Sequence, residues 1–321
     1  MRKASGKVRI TGQLIEAATG AHIWADKFER DMTDIFALQD EVTLAVVSAI
    51  QPKLFQAEIA MTTRRRPEDL TAYDLCLRAI QQAIRSTRES LAEALRLVQR
   101  ALELAPGFAA AAALAGACHM ENVLRSYAID PQFERKEAVR LMRLALSLDD
   151  HDPDTLATAV LISALLVGDC EAEIEMADRA VALNPNSYHA WHRRGWVYKI
   201  AGQPEEAIRS FERAMRMSPV DPQQFTALTG MGFAFIELRR FDEAIVAGKK
   251  ALRQNPSYPG PYRCLASAFA HLGQDAEARE AAAGMLELDP AFTISAWIAR
   301  SQLSKTAKLM IEGFRKAGLS E

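Results

Sequence analysis

Between residues 69 and 290 of this 321-residue chain, apolar positions recur every three or four residues, the spacing of helices that bury one face. Turn residues, with Gly or Pro at regular places, break the pattern into short segments. The clearest pair of segments is NSYHAWHRRGWVYKIAGQPEEAIRSFERAMRMSP. There Trp191 and Tyr198, seven residues apart, share one helical face, and Gly202 lets the backbone turn. Ala207 and Ala214 are small enough for a second helix to lie close on the first, and Pro219 ends the unit. The pattern predicts two antiparallel helices joined by a tight turn.

The same unit recurs. Pro185 precedes Pro219 by 34 residues, and Pro256 precedes Pro290 by the same interval. Tyr262, Phe269, Gly273, Ala278 and Pro290 stand in register with Trp191, Tyr198, Gly202, Ala207 and Pro219. The unit ending at Pro256 keeps Gly232, Phe235, Ala244 and Ala251; the one ending at Pro185 keeps Gly168 and Ala180 but has Glu173 at a usually small position. Upstream, Gly116, Ala138 and Ala145 mark a unit stretched by about ten residues around SYAIDPQFER, and Ala94, Ala101 and Pro106 mark another. Six units cover residues 69–290, some two thirds of the chain.

These residues resemble the tetratricopeptide repeat, whose signature runs W, L-G, Y, A, F and P over about 34 residues. Arg194 stands where the signature has Leu. The resemblance implies a mainly α fold, an α-solenoid of about six helix-turn-helix repeats, because one repeat cannot bury its apolar face alone. In SKTAKLMIEGFRKAGLSE, Leu303, Ala307, Met310, Phe314 and Ala317 share a face behind Ser304 as N-cap, so 291–321 is expected to cap the array.

The N-terminal 1–61 differ in kind. Val8, Ile10, Leu14 and Ile15, then Ile23, Trp24 and Phe28, suit two strands around a turn at Ala17-Ala18-Thr19-Gly20. TDIFALQDEVTLAVVSAI then predicts an amphipathic helix capped by Thr33 or Asp34, with Ile35, Leu38, Val42, Val46 and Ala49 on one face. The result is a small α/β fragment, a β-hairpin plus helix, that leaves a strand edge open to self-association. The run VRITGQLIEAATGAHIWADKFERDMTDIFALQDEV is similar to the closing half of a TolB amino-terminal module. That module precedes tetratricopeptide repeats in bacterial class III adenylate/guanylate cyclases and winged-helix regulators. The resemblance implies that the chain is the C-terminal region of such a protein, with further strands and a catalytic or DNA-binding domain ahead of Met1. Residues 62–68, with Arg64-Arg65-Arg66, are expected to link the module to the repeats.

Composition adds little. With 49% hydrophobic and 25% charged residues the chain is an ordinary folded protein, and a net charge of −2 gives no pull toward nucleic acid or an anionic membrane. The longest apolar run, TLATAVLISALLVG, is too short to span a bilayer, and MRKASGKVRIT carries no signal-peptide core. Cys76, Cys118, Cys170 and Cys264 fall in four repeats without C-x-x-C spacing, so they are expected as free thiols of a cytoplasmic protein. No nucleotide-binding or nucleophile-elbow motif and no pair of cyclase metal-binding aspartates is present, so neither catalysis nor a cofactor is expected. His189 and His192 are three apart, but no Cys, Asp or Glu completes a metal set beside them.

What remains is the concave face that the first helices of stacked repeats form. His192, Arg193 and Trp196, one, two and five places after Trp191, point there, with His189 and Lys199 near the ends of that helix. Ile162, Phe233 and Arg263 join them from neighbouring units, with Ala117 and Ser267 as small spacers. Two aromatics among cations suit a helix or peptide that carries acidic residues beside apolar anchors. His192, Trp196 and Arg193 occupy the places of the Lys/Asn carboxylate clamp of chaperone-binding repeat proteins, so that particular activity is not expected. Packing of Trp196 and Phe233 between repeats, or beneath another part of the chain, is the alternative.

Overall fold

A computed structural model describes residues 2–4, 7–15, 20, 22–31, 46, 50, 54, 58, 59, 70–168, 170–219, 221–300, 302 and 307–321. Among the described residues six helical hairpins follow one another: α1 (Ala72–Arg85) with α2 (Arg88–Leu104), α3 (Ala109–Leu124) with α4 (Pro131–Leu148), and α5 (Pro153–Leu166) with α6 (Cys170–Leu183). Then come α7 (Tyr188–Ile200) with α8 (Pro204–Met217), α9 (Gln224–Glu237) with α10 (Phe241–Gln254), and α11 (Pro259–His271) with α12 (Asp275–Leu288). Each first helix packs on its hairpin partner and on the first helices of adjacent units, as a solenoid requires.

Burial follows from that position. α9 sits among neighbours on several sides and buries Phe225, Leu228, Met231, Phe233, Phe235 and Ile236, around most of its circumference. The outer helix α8 buries one stripe, Ala207, Ile208, Ser210, Phe211, Ala214 and Met217. Polar side chains start several helices: Thr71 forms a reciprocal capping box with Asp74, Asp152 accepts from the amide of Thr155, and Ser187 from that of Ala190.

Two departures from the repeat signature have structural reasons. Arg194 donates to Asp178 on α6 (2.6 Å) and to Ser210 on α8 (2.6 Å), and its guanidinium lies over the rings of Tyr198 (4.1 Å) and Trp191 (5.6 Å). A cation thus does the packing of the missing Leu while tying three helices together. Glu173, buried at a small-residue position, accepts a 2.7 Å hydrogen bond from the Ser163 hydroxyl. The glycines at 195 and 230 are needed for space: Phe211, fully buried, wedges between α7 and α9 where a Cβ at either position would overlap its ring.

At the N-terminus the chain forms one more strand than the hairpin expected. β1 (Arg2–Ala4), β2 (Lys7–Ile15) and β3 (His22–Asp31) make an antiparallel sheet in that order, with Ile10 opposite Phe28 and Leu14 opposite Trp24. β1 is too short to carry a recognisable alternation. Ala17-Ala18-Thr19, the linker arginines at 64–66, Leu303 and Ser304 lie outside the described residues; of the helix expected at 33–50, only Val46 and Ile50 are described, both helical.

The C-terminal segment departs from a simple cap. α13 (Ile294–Arg300) is followed by α14 (Lys308–Lys316), which packs against the first helices α11 and α9. Its buried face is the expected one, Met310 and Phe314 with Ala307 and Ala317 at its flanks, but the partner surface is the inner wall of the array. His271 on α11 meets the carbonyl of Leu309 at 2.8 Å, and Phe314 sits edge-on to Phe292 and Trp297. The approach to α14 reaches back to earlier repeats: Arg135 on α4 donates to the carbonyls of Leu166 (3.1 Å) and Arg300 (2.9 Å).

Candidate functional site

The inner face is therefore divided. Its C-terminal part carries α14, and its N-terminal part holds a cavity of about 400 Å³ lined from α1, α3, α5, α7 and the start of α9. The cavity has a local cause in α3, AAAAALAGACHMENVL, where Ala110, Ala113 and Ala117 face it with side chains too short to fill the space. Leu114, Leu124, Leu161 and Leu165 make much of the remaining wall aliphatic.

Four of the seven groove residues expected from sequence, His189, His192, Arg193 and Trp196, line this cavity together. His192 is 1% exposed, stacks on the ring of Tyr188 (5.5 Å between centroids) and meets the Thr226 hydroxyl at 2.7 Å through Nε2. Burial, helped by the charge of Arg193, holds its pKa well below the ordinary value, so the ring is neutral. Its Nδ1, the hydroxyl of Tyr188 and Nε of Arg193 are sealed from solvent without hydrogen-bond partners. Burial lowers the pKa of Arg193; Glu121, Tyr188, Asp154 and Asp221 offset part of that by charge.

The other three lie elsewhere. Lys199 is fully buried, with Nζ 2.5 Å from a carboxylate oxygen of Glu237 at the end of α9. Phe233 is 4% exposed and packs edge-on against Trp196. Arg263 sits over the ring of Phe292 (5.4 Å) and within 3.9 Å of Asp289. Of the companions, Ala117 lines the cavity, Ile162 is sealed in the core, and Ser267 lies under α14 where Gly313 passes.

Sequence reasoning did not single out Tyr188, Thr155 or the pair Glu121–Arg125 (2.7 Å), which also line the cavity. The i,i+4 spacing of Glu121 and Arg125 was a readable signal for the pair; that Arg125 stacks on the ring of Tyr258 (4.9 Å), from a distant unit, was not. Among the described residues no group of three or more His, Cys, Asp or Glu could hold a metal ion, and no helix is long and apolar enough to cross a membrane. Cys76, Cys118 and Cys264 are free and buried, and burial pushes each thiol up to about 12, far from a reactive thiolate.

Comparison with known proteins places this geometry. Residues 188–219 and 229–291 match models of the tetratricopeptide repeat, and residues 170–201 match the protein prenyltransferase alpha subunit repeat. Among solved structures, the APC/C hetero-tetramer Cut9-Hcn1 is similar over 84% of this chain and 49% of that one, with a TM-score of 0.55 at 16% identity. TTC0263, a thermophilic TPR protein of Thermus thermophilus, aligns over 62% of this chain and 99% of its own (TM-score 0.47, 18% identity). A curated relative, "Putative adenylate cyclase 3" of Rhizobium meliloti (strain 1021), is 34% identical over 163 residues. That match covers 50% of this chain and 28% of the relative.

Proposed function

This chain is a tetratricopeptide-repeat protein, and from that premise we propose that it is a non-catalytic interaction scaffold that takes a peptide or helix in its concave groove. The observation that carries this reading is the open cavity on the inner helices, where Arg193, His189 and Trp196 meet an aliphatic wall. A partner captured by the wild-type chain should be lost by Arg193→Glu and kept by Arg140→Glu, an exposed change on the outer helix α4. Equal capture by both variants would remove the groove from the reading.

A second reading has its own support in the 34% identity with the named cyclase: the chain is the regulatory C-terminal region of a class III nucleotide cyclase, or of a transcriptional regulator. Sequencing the DNA ahead of the Met1 codon tests it. An in-frame cyclase domain supports the first form, a DNA-binding domain the second, and an immediate stop codon opposes both. Self-association through the edge of the N-terminal sheet is a separate proposal, and sedimentation that does not change with concentration would end it.

A further inference from the structure

The lining of the cavity is anionic. Glu121, Asp152, Asp154 and Asp221 stand against the guanidiniums of Arg125 and Arg193, and with His192 neutral a protonated His189 does not restore the balance. The wall itself takes up both guanidiniums. Arg125, its side chain 7% exposed, pairs with Glu121 (2.7 Å) and lies over the ring of Tyr258 (4.9 Å). Arg193 stands among Glu121, Asp154 and Asp221, whose charges act on it together, and its Nε is sealed from solvent. Arg193→Glu therefore disrupts the wall whatever the charge of the partner. Lys199 and Arg263, the other cations expected in the groove, lie against Glu237 and Asp289 instead. The carboxylates stay within reach: Asp154 is exposed, and Glu121, Asp152 and Asp221 are half-buried. Burial raises the pKa of Asp221, so a cation brought beside that carboxylate is favoured.

The wall also restricts the form of the occupant. Its helices bond their own backbone groups, so an extended peptide finds no ladder there, whereas a helix satisfies its amides internally. The inner face already takes one helix: α14 lies on α11 and α9 with Met310 and Phe314 buried and Gly313 close over Ser267. In the N-terminal part, Ala110 and Ala117 leave room beside the leucines of α3 and α5. We propose that this part of the inner face docks an amphipathic helix of a partner protein that carries Lys or Arg beside its apolar anchors. The anchors lie on α3 and α5, and the cations over Asp154 and Asp221. This rests on the scaffold reading and gives the partner the opposite charge to the one that the groove's cations suit.

Fluorescence anisotropy of a labelled amphipathic helix of Leu and Lys, titrated with the full chain at about 0.15 M salt, tests the assignment beside a twin with Glu at every Lys. The Leu/Lys helix should bind at one site, and the Leu/Glu twin about tenfold or more weakly, since like charges would meet. Asp154→Asn with Asp221→Asn should weaken the Leu/Lys helix about fivefold or more and bring the twin no loss. Glu93→Gln, on the exposed side of α2, should change neither, and Ala117→Leu should weaken the Leu/Lys helix by filling the wall. Circular dichroism checks that each variant is folded. Equal or tighter binding of the twin overturns the proposal without any variant, as does an absence of binding or an equal loss in Glu93→Gln. If the twin binds and Ala117→Leu removes it, or if neither helix binds while a captured partner depends on Arg193, the charge assignment falls and the scaffold reading stands.

Discussion

Lys199 offers the sharpest separation between a groove contact and a structural one. Its ammonium and the Glu237 carboxylate join α7 to α9, with side chains 0% and 10% exposed. Lys199→Met keeps the apolar stem and removes the charge, leaving the buried Glu237 without that ammonium. Breaking such a pair costs about 3–5 kcal/mol, whereas replacing both members by hydrophobes is about neutral or stabilising. Against a typical stability of about 5–15 kcal/mol, the single change is severe and the double change mild. Urea unfolding of Lys199→Met, Glu237→Leu and the double variant measures this. Because repeat arrays need not unfold in one step, hydrogen exchange of α7 and α9 should accompany it. The expected result is a loss of about 3 kcal/mol or more in Lys199→Met, most of it regained in the double variant. A loss below about 1 kcal/mol, together with lost partner binding, would refute the reasoning and return Lys199 to the groove.

Other consequences are equally open to test. A Cβ on Gly195 would come within 2.6 Å of the Phe211 ring, so Gly195→Ala should destabilise by about 1–3 kcal/mol despite its better helix propensity, and should become harmless in a Phe211→Leu background. His192 stays neutral in the fold while the unfolded chain takes up a proton below about pH 6.5. Its contribution is therefore complete above that pH and lost as pH falls toward the depressed folded value; the urea midpoint should drop between about pH 7.5 and 5.5, and drop less in His192→Gln. Gly313→Val would drive a side chain into Ser267, whose Cα lies 2.7 Å from a Cβ placed there, so hydrogen exchange should rise in α14 and α11 and stay unchanged in α1 and α2.

The hairpins were legible because signature residues act locally: Gly202 turns its own chain with φ 75°, and Ala207 and Ala214, both fully buried, let their own two helices approach. The site was half legible. His192, Arg193 and Trp196 line the cavity, and their places on α7 follow from helical spacing after Trp191. In α5 the wall is made by Thr158, Leu161 and Leu165, while Ile162 turns into the core. Lys199 could not be placed from its own segment, since its partner Glu237 lies one repeat on. The course of α14 was hidden for a similar reason. Met310 and Phe314 announce an apolar face, but an apolar face does not say which surface covers it.

The alanines at 110, 113 and 117 have a consequence for descent as well as for packing. Ala110 is exposed and Ala117 half-buried, so these two can change without displacing core neighbours, whereas Ala113 is packed in the core with Ala112 and Ala145. A larger side chain at either of the first two would reshape or plug the chamber while the array kept its form. Related chains could thus exchange one guest for another through substitutions that leave every signature residue in place, and repeat models blind to those positions would score them as the same protein.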